Sequence, residues 1–362
     1  MSLELIVDVR PNGVWLALLR EGKLIELHEE RGNSDFAVGD IYLGKIRRLS
    51  PSLNAAFVDV GYDRDAFLHY LDLGSNFNSL NKYTKEVMRG KQSVPSLQYF
   101  KPEAELQKDG KIDGLLSSSQ FVLVQVAKEP ISSKGPRLSS EITLAGRYIV
   151  LAPFSSKISV SQKIRSNEEK KRLKEVMEGL LPKNFGAIIR TVAENKTAED
   201  IQQDLAQLLE KWDSIYKNLK GSNSPKRILG EINTTSSILR DLLNADFSNV
   251  HVNSSELYEE ISTYVQQIAP GKNSIVKLYD GRIPIFERYG IDKQIKVLFG
   301  KKVPMPSGGY LIIEHTEAMH VIDVNSGNRK GADGQESNAL ATNVEAAEEI
   351  ARILQLRDMG GI

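Results

Sequence analysis

Short apolar runs punctuated by polar turn residues fill most of the first seventy residues. The runs Leu3-Glu4-Leu5-Ile6-Val7, Val14-Trp15-Leu16-Ala17-Leu18 and Lys23-Leu24-Ile25-Glu26-Leu27 are separated by Pro11-Asn12-Gly13 and Glu21-Gly22. Short β-rich runs with such turn residues between them predict hairpins. A second β set begins near Val38, with Ile41-Tyr42-Leu43-Gly44-Lys45-Ile46, Ala55-Ala56-Phe57-Val58-Asp59-Val60 and Asp65-Ala66-Phe67-Leu68. Residues 74–118 break the pattern: they are polar and weakly periodic, and composition predicts a segment not ordered throughout. The β pattern resumes at Phe121-Val122-Leu123-Val124-Gln125-Val126, which closes the domain opened before the insertion.

Beyond residue 140 the spacing is mixed. Strands are predicted at 148–151, 157–161 and 187–191, and amphipathic helices at about 167–180 and 197–218. On the second helix Leu205, Leu208, Leu209 and Trp212 recur at helical spacing. Residues 220–225 read as a linker, and 236–298 as a further α/β stretch. The last segment predicts a hairpin over 310–325, a Gly-rich loop and a long helix from about 336 to 357. Gly360-Gly361 is a helix stop, and Ile362 reads as the first residue of another strand, so the expectation is a chain truncated there. There is no internal repeat of fixed period.

Composition narrows the classes. At 362 residues and 40.3 kDa the chain suits two or three domains. Forty-seven basic and 47 acidic residues give a net charge of zero, which excludes a binder held by bulk positive charge but not one with a local basic groove. No apolar run approaches the roughly 20 residues that span a bilayer, and the N-terminus lacks the form of a secretory signal. With zero cysteines the chain has no disulfide, thiol nucleophile or Cys-ligated metal. A cytoplasmic location is the expectation.

Three constellations carry candidate chemistry. Phe57 and Phe67, on neighbouring strands of a small barrel, would stack two bases, with Lys45, Arg47 and Arg48 following the phosphates. Two core phenylalanines are the competing reading, and the flanking Gly39-Asp40-Ile41-Tyr42-Leu43-Gly44-Lys45 favours an S1-type OB-fold. Asp323 and Asn325 share one strand face and offer two oxygens, a half-site for Mg²⁺, although an isolated D-x-N is more often an Asx turn. Arg190-Thr191, at the end of an apolar strand, offers a guanidinium and a hydroxyl to a phosphate, or a surface ion pair. There is no P-loop, dinucleotide fingerprint, H-E-x-x-H or nucleophile elbow, and the five histidines form no ligand-spaced helical pair.

Taken in order, several long stretches resemble one family, the bacterial ribonuclease E/G endoribonucleases. They are Ile41 to Leu68, Gly186-Ala187-Ile188-Ile189-Arg190-Thr191, Pro306-Ser307-Gly308-Gly309-Tyr310 through Asp323-Val324-Asn325-Ser326-Gly327, and Thr342-Asn343-Val344-Glu345-Ala346-Ala347 running to Gly361. The resemblance implies an α+β multidomain chain. An RNase H-like subdomain (1–36 and 236–298) would be interrupted by an S1-type OB-fold barrel (37–136, with a flexible insertion at 74–118) and a 5′-sensor region (137–235). A partial DNase I-like α/β subdomain (299–362) would follow.

The same resemblance implies a Mg²⁺-dependent endoribonuclease of rRNA maturation and mRNA turnover. It would act on single-stranded, A/U-rich, 5′-monophosphorylated RNA and leave 5′-phosphate and 3′-hydroxyl ends, as a homodimer or homotetramer. Asp323 and Asn325 match the metal-binding and catalytic pair. Arg190, Thr191, Gly146 and Val150 match the 5′-phosphate pocket, and Phe57, Phe67 and Lys134 the RNA-holding face, beside Lys45. The family's second metal-binding aspartate and its Zn²⁺-binding cysteines belong to segments beyond residue 362, and Gln162 stands where an arginine is common. An RNA-binding chain with little or no catalysis is therefore the alternative expectation.

Overall fold

The structure, a computed structural model, describes residues 3–30, 36–130, 134–223, 225–230, 235, 238–240, 247–268, 273–327 and 335–362. The chain divides into two compact units, residues 34–233 and residues 1–33 with 234–362. Three antiparallel strands open it: β1 (Leu3–Arg10), β2 (Gly13–Arg20) and β3 (Lys23–Glu30), joined by the two predicted tight turns.

The inserted unit begins with a barrel. β4 (Ile41–Ser50), β5 (Ala55–Asp59), β6 (Ala66–His69), β7 (Phe121–Lys128) and β8 (Arg137–Ser139) pair in the order β4-β5-β6-β8-β7, and β7 returns to β4. Five strands thus close on themselves, an arrangement consistent with an OB-like fold. Alternation decides which residues fill it. Ala56, Val58, Ala66, Leu68, Val122 and Val124 point inward and are buried, while Phe57, Phe67 and Lys45 are only half-buried.

Residues 74–118 depart from the expected flexible insertion. They carry helix α1 (Phe77–Met88), whose Phe77, Leu80, Tyr83 and Val87 are buried, followed by the buried Leu97 and Phe100. The Tyr83 ring lies 5.8 Å from Phe100, 5.5 Å from Phe154 and 5.3 Å from Trp212. Trp212 Nε1 donates to the Pro95 carbonyl at 3.0 Å, and Asn184 Nδ2 donates to those of Leu97 and Phe100 at 2.8 and 2.9 Å. The aromatic partners sit far away in sequence, so local polarity alone misjudges the segment.

The rest of the unit is a four-stranded sheet of β9 (Leu144–Ala145), β10 (Ile149–Pro153), β11 (Ile158–Val160) and β12 (Phe185–Ile189), in the order β11-β12-β10-β9. Helices α2 (Asn167–Leu180) and α3 (Ala198–Leu219) accompany it. A reciprocal Thr197–Asp200 capping box starts α3. Its Leu205, Leu208 and Trp212 are buried, as the spacing predicts, while Leu209 is half-buried and Ile201 joins the buried set. β13 (Lys226–Leu229) ends the unit by pairing with β4.

The chain then rejoins its first sheet. β14 (Phe247–Val252) runs parallel to β1 and β15 (Val276–Leu278) parallel to β14, giving the order β15-β14-β1-β2-β3. Leu5, Val7, Leu16 and Leu18 enter one core with Ile261 and Val265 of the helix Ser255–Ile268. Ile6, Ala17 and Leu19 enter another with Phe286, Ile291 and Ile353. Burial on both faces explains why β1 reads as a nearly continuous apolar run. β16 (Lys302–Pro304), β17 (Tyr310–His315) and β18 (His320–Asn325) form a separate antiparallel sheet, and the helix Gln335–Leu356 follows. The predicted Gly-rich loop between β18 and that helix lies largely outside the described residues.

Candidate nucleic-acid interface and metal-binding pair

The outward face of the barrel gathers aromatic rings and cations. Phe57 of β5 stands opposite Phe67 of β6, their rings 5.8 Å apart and edge-on at 73°. The Arg48 guanidinium lies 3.8 Å from the Phe57 ring centroid, and Lys45 Nζ lies 6.0 Å from that of Phe121. Arg47 is drawn away by Asp59 at 2.7 Å. Lys134 is exposed, two residues before Pro136, whose carbonyl accepts from Phe67 N at 2.9 Å. Half-exposed rings with a stacked guanidinium suit a flat π-face bearing a phosphate.

A second cluster forms where α3 meets the four-stranded sheet. Arg190 Nη1 donates to the Gly146 carbonyl at 2.8 Å, and the Thr191 and Ser161 hydroxyls lie 2.9 Å apart. Val150 pairs with Ile188, two residues before Arg190 along one face. The structure therefore brings Arg190, Gly146 and Val150 to one end of this sheet. Asp204 of α3 organises the turn: its carboxylate accepts from the backbone N–H groups of Arg147, Tyr148 and Ile149 at 3.0, 2.8 and 3.0 Å. A Cβ on Gly146 would meet that carboxylate at 2.6 Å, so only glycine fits there. Sequence reasoning missed Asp204. Its signal was a carboxylate set within the apolar stripe of Ile201, Leu205 and Leu208.

The third place is the end of β18. Asp323 and Asn325 project from one face, and Asn325 Nδ2 donates to Asp323 Oδ2 at 2.7 Å. Asp323 is exposed and Asn325 half-buried. The Gly308-Gly309 turn presses on this end: a Cβ on Gly309 would meet the Asn325 carbonyl at 2.7 Å, and Gly327, at φ +62°, lies against the Gly308 carbonyl. Ser307 N donates to Glu345 Oε1 at 2.8 Å, which anchors that turn to the C-terminal helix. Among the described residues no three His, Cys, Asp or Glu side chains converge to hold a metal. Two hard oxygen donors beside open solvent fit a cation that keeps most of its water, as Mg²⁺ does.

Comparison with known proteins gives these clusters a context. Residues 143–362 match the sequence model of the Ribonuclease E/G family. The chain is 35% identical over 361 residues to ribonuclease G of Haemophilus influenzae, an alignment covering 100% of this chain and 70% of that protein. It is 35% identical over 363 residues to ribonuclease G of Escherichia coli K12, with the same coverage. Ribonuclease E of a Nostoc species is 35% identical over 350 residues, 96% of this chain and 47% of that protein. A mixed α/β chain built around an OB-like barrel is thus assigned by descent: it belongs to the ribonuclease E/G family. No helix among the described residues is long and apolar enough to cross a membrane.

Proposed function

We propose that this chain is a divalent-metal-dependent endoribonuclease of RNA processing and decay, acting on single-stranded RNA in the cytoplasm. The observation that carries the reading is the pairing of Asp323 with Asn325 on one exposed strand face, in a chain of this family. Asp323, and Asn325 through its side-chain oxygen, are the residues that would hold Mg²⁺. When bound, that cation supplies an acidified water and offsets charge on the phosphoryl oxygens. The Asn325 amide holds the Asp323 carboxylate in one orientation, and the Gly308-Gly309 turn fixes the backbone beneath both. Phe57 and Phe67 take unpaired bases, so a single strand is selected because duplex bases are already stacked. Lys45 and Lys134 accompany the phosphates.

Arg190, Thr191 and Gly146, with Val150 beside them, form the site proposed to take a 5′-monophosphate. Engaging that end raises the effective concentration of the scissile bond at the metal pair without new chemistry. Hydrolysis would leave 5′-phosphate and 3′-hydroxyl ends. A second reading, RNA binding with little cutting, is favoured by one observation: among the described residues no group of three or more His, Cys, Asp or Glu side chains gathers to hold a metal.

The test is incubation with a single-stranded, A/U-rich oligoribonucleotide carrying a 5′-monophosphate or a 5′-hydroxyl, in Mg²⁺ or EDTA. Cutting only with Mg²⁺, faster on the monophosphate, is expected. Asp323→Ala should slow it by at least about 100-fold, more than the loss typical of a residue that merely supports a metal ligand. Binding without metal-dependent cutting would establish the second reading instead.

A further inference from the structure

The insertion that composition marks as featureless carries a cationic groove on its helix. Asn78, Asn81, Lys82, Lys85, Glu86, Arg89, Lys91 and Glu103 line a groove of about 390 Å³ along the outer side of α1. The opposite side of α1 is committed to the core through Phe77, Leu80, Tyr83 and Val87, so this polar stripe is what the helix presents to solvent. Lys82 is neutralised: its Nζ lies 2.7 Å from Glu103, which raises the lysine pKa, and Glu86 adds to that shift. Lys85, Arg89 and Lys91 are exposed and take part in no ion pair among the described residues. Three unneutralised cations thus converge on one groove in a chain whose net charge is zero.

A helix dipole explains part of this. Cations in a last turn are stabilised by the carbonyl end, which accounts for Lys85 and for Arg89 at the cap. It does not account for Lys91, which lies beyond the helix. Lys85 and Arg89 are also like charges four residues apart, an arrangement that costs a helix some stability. The lining has no apolar or aromatic side chain. Protein interfaces carry an apolar, aromatic-enriched core, and stacked bases need rings. Four cations and two amides against two carboxylates, Glu86 and Glu103, leave a net positive lining without either, which suits a phosphate backbone.

One hydrogen bond ties the groove lining to the residue that precedes barrel strand β7. Gln120 Nε2 donates to Asn81 Oδ1 at 3.2 Å, and the next residue, Phe121, is the ring that Lys45 approaches. We propose that RNA held by Phe57 and Phe67 continues past Lys45 and Gln120 onto α1, where Lys85, Arg89 and Lys91 bind its phosphates without regard to sequence. The inference rests on the reading of this chain as an RNA binder and adds a second footing for longer strands. Lys85 and Arg89 are about 6 Å apart along the helix axis, a separation that lets each meet a different phosphate.

The experiment compares the chain with its Lys85→Ala/Arg89→Ala/Lys91→Ala variant, binding oligouridylates of about 6 nucleotides, within the span of one OB-fold site, and about 20 nucleotides, beyond it. The readout is affinity between roughly 50 and 200 mM salt, where each phosphate contact to a single strand contributes about −0.7 to the log–log slope. For the longer strand the variant should lose affinity roughly tenfold or more at low salt, with a slope shallower by about 2 for three lost contacts. The short strand should bind unchanged, and Lys85→Arg/Lys91→Arg should retain the original slope.

Equal slopes for chain and variant on the longer strand would overturn the proposal while leaving RNA binding intact. Failure of the unaltered chain to bind either strand would overturn it together with the reading beneath it. A large fall in the variant's thermal midpoint with no change in slope would return these cations to the helix dipole. If the variant instead lost affinity only for a polyglutamate peptide, the groove would be a protein-docking surface and the proposal wrong.

Discussion

The barrel face and the end of β18 solve the same problem differently. Both need two side chains facing the same way, and both obtain them from strand alternation. On the barrel, Phe57 and Phe67 come from neighbouring strands within a ring of five that has no free edge. Asp323 and Asn325 come from one strand, at the edge of a three-stranded sheet, held from behind by the close approach of Gly309. Ring closure fixes a face through many residues, whereas an edge strand fixes a pair through a few. Binding should therefore degrade gradually with substitution on the barrel, and chemistry abruptly with substitution on β18.

The largest expected effect tests that abruptness. Asp323→Ala, which costs at least about 100-fold in cutting, should leave the thermal midpoint almost unmoved, because exposed positions away from caps and cores shift stability by only about 0.5 kcal/mol. A midpoint that fell steeply would mean that the pair belongs to the fold rather than to the chemistry. Next comes the barrel. Phe57→Ala and Phe67→Ala should each weaken single-strand binding by roughly 5- to 150-fold, the equivalent of about 1–3 kcal/mol per stacked base. Both variants should keep the circular dichroism of the parent. Equal binding by either variant would return its ring to a purely structural role.

How much of this could be read from the chain depended on where each residue's partners lie. The hairpins β1–β2 and β2–β3, the barrel strands, and helices α2 and α3 follow local periodicity and turn residues, and they fall close to where spacing puts them. Phe57, Phe67, Asp323 and Asn325 lie in short strands whose faces are fixed by alternation, so their grouping was legible too. Helix α1 was not read, although Phe77, Leu80, Tyr83 and Val87 are spaced at three and four residues. The polar residues between them hid the stripe, and its aromatic partners Phe154 and Trp212 lie far along the chain. Asp204 escaped for a related reason: its three backbone donors are more than fifty residues away.

That buried carboxylate supplies the third prediction. Asp204→Ala leaves three N–H groups of the 146–149 turn without their acceptor. It should destabilise the chain by roughly 3 kcal/mol, the scale of hydrogen bonds made to a charged group, as read from denaturant midpoints. The same variant should weaken any preference for a 5′-monophosphate, since Arg190 rests on the Gly146 carbonyl of that turn. A loss of stability with the preference intact would separate the turn from the proposed pocket.

The smallest effect concerns His251 on β14, whose ring lies 4.9 Å from that of Tyr289. Burial, aided by the Lys277 charge, holds its pKa below the ordinary 6.5. An unfolded chain then takes up the proton before the folded one does. Stability is full above 6.5, falls as pH drops through that value, and stops falling below the folded pKa. His251→Gln should flatten this part of the pH–stability curve. An unchanged curve would assign the dependence to other groups.

The long-range pairing of β1 has a consequence in time. Val9 N donates to the Asn253 side chain across 244 residues, and β1 runs parallel to β14 through that stretch. At a synthesis rate of about 5–20 residues per second, β1 would wait roughly 10–50 s on the ribosome before its partner emerged. During that interval one side of the first hairpins has no β14 to bind, and Leu5 and Val7 lack the helix Ser255–Ile268 that later helps cover them. The inserted unit of residues 34–233 emerges complete in the meantime. Birth order thus makes the inserted unit the first to be finished, and leaves the oldest strands as the last to find shelter.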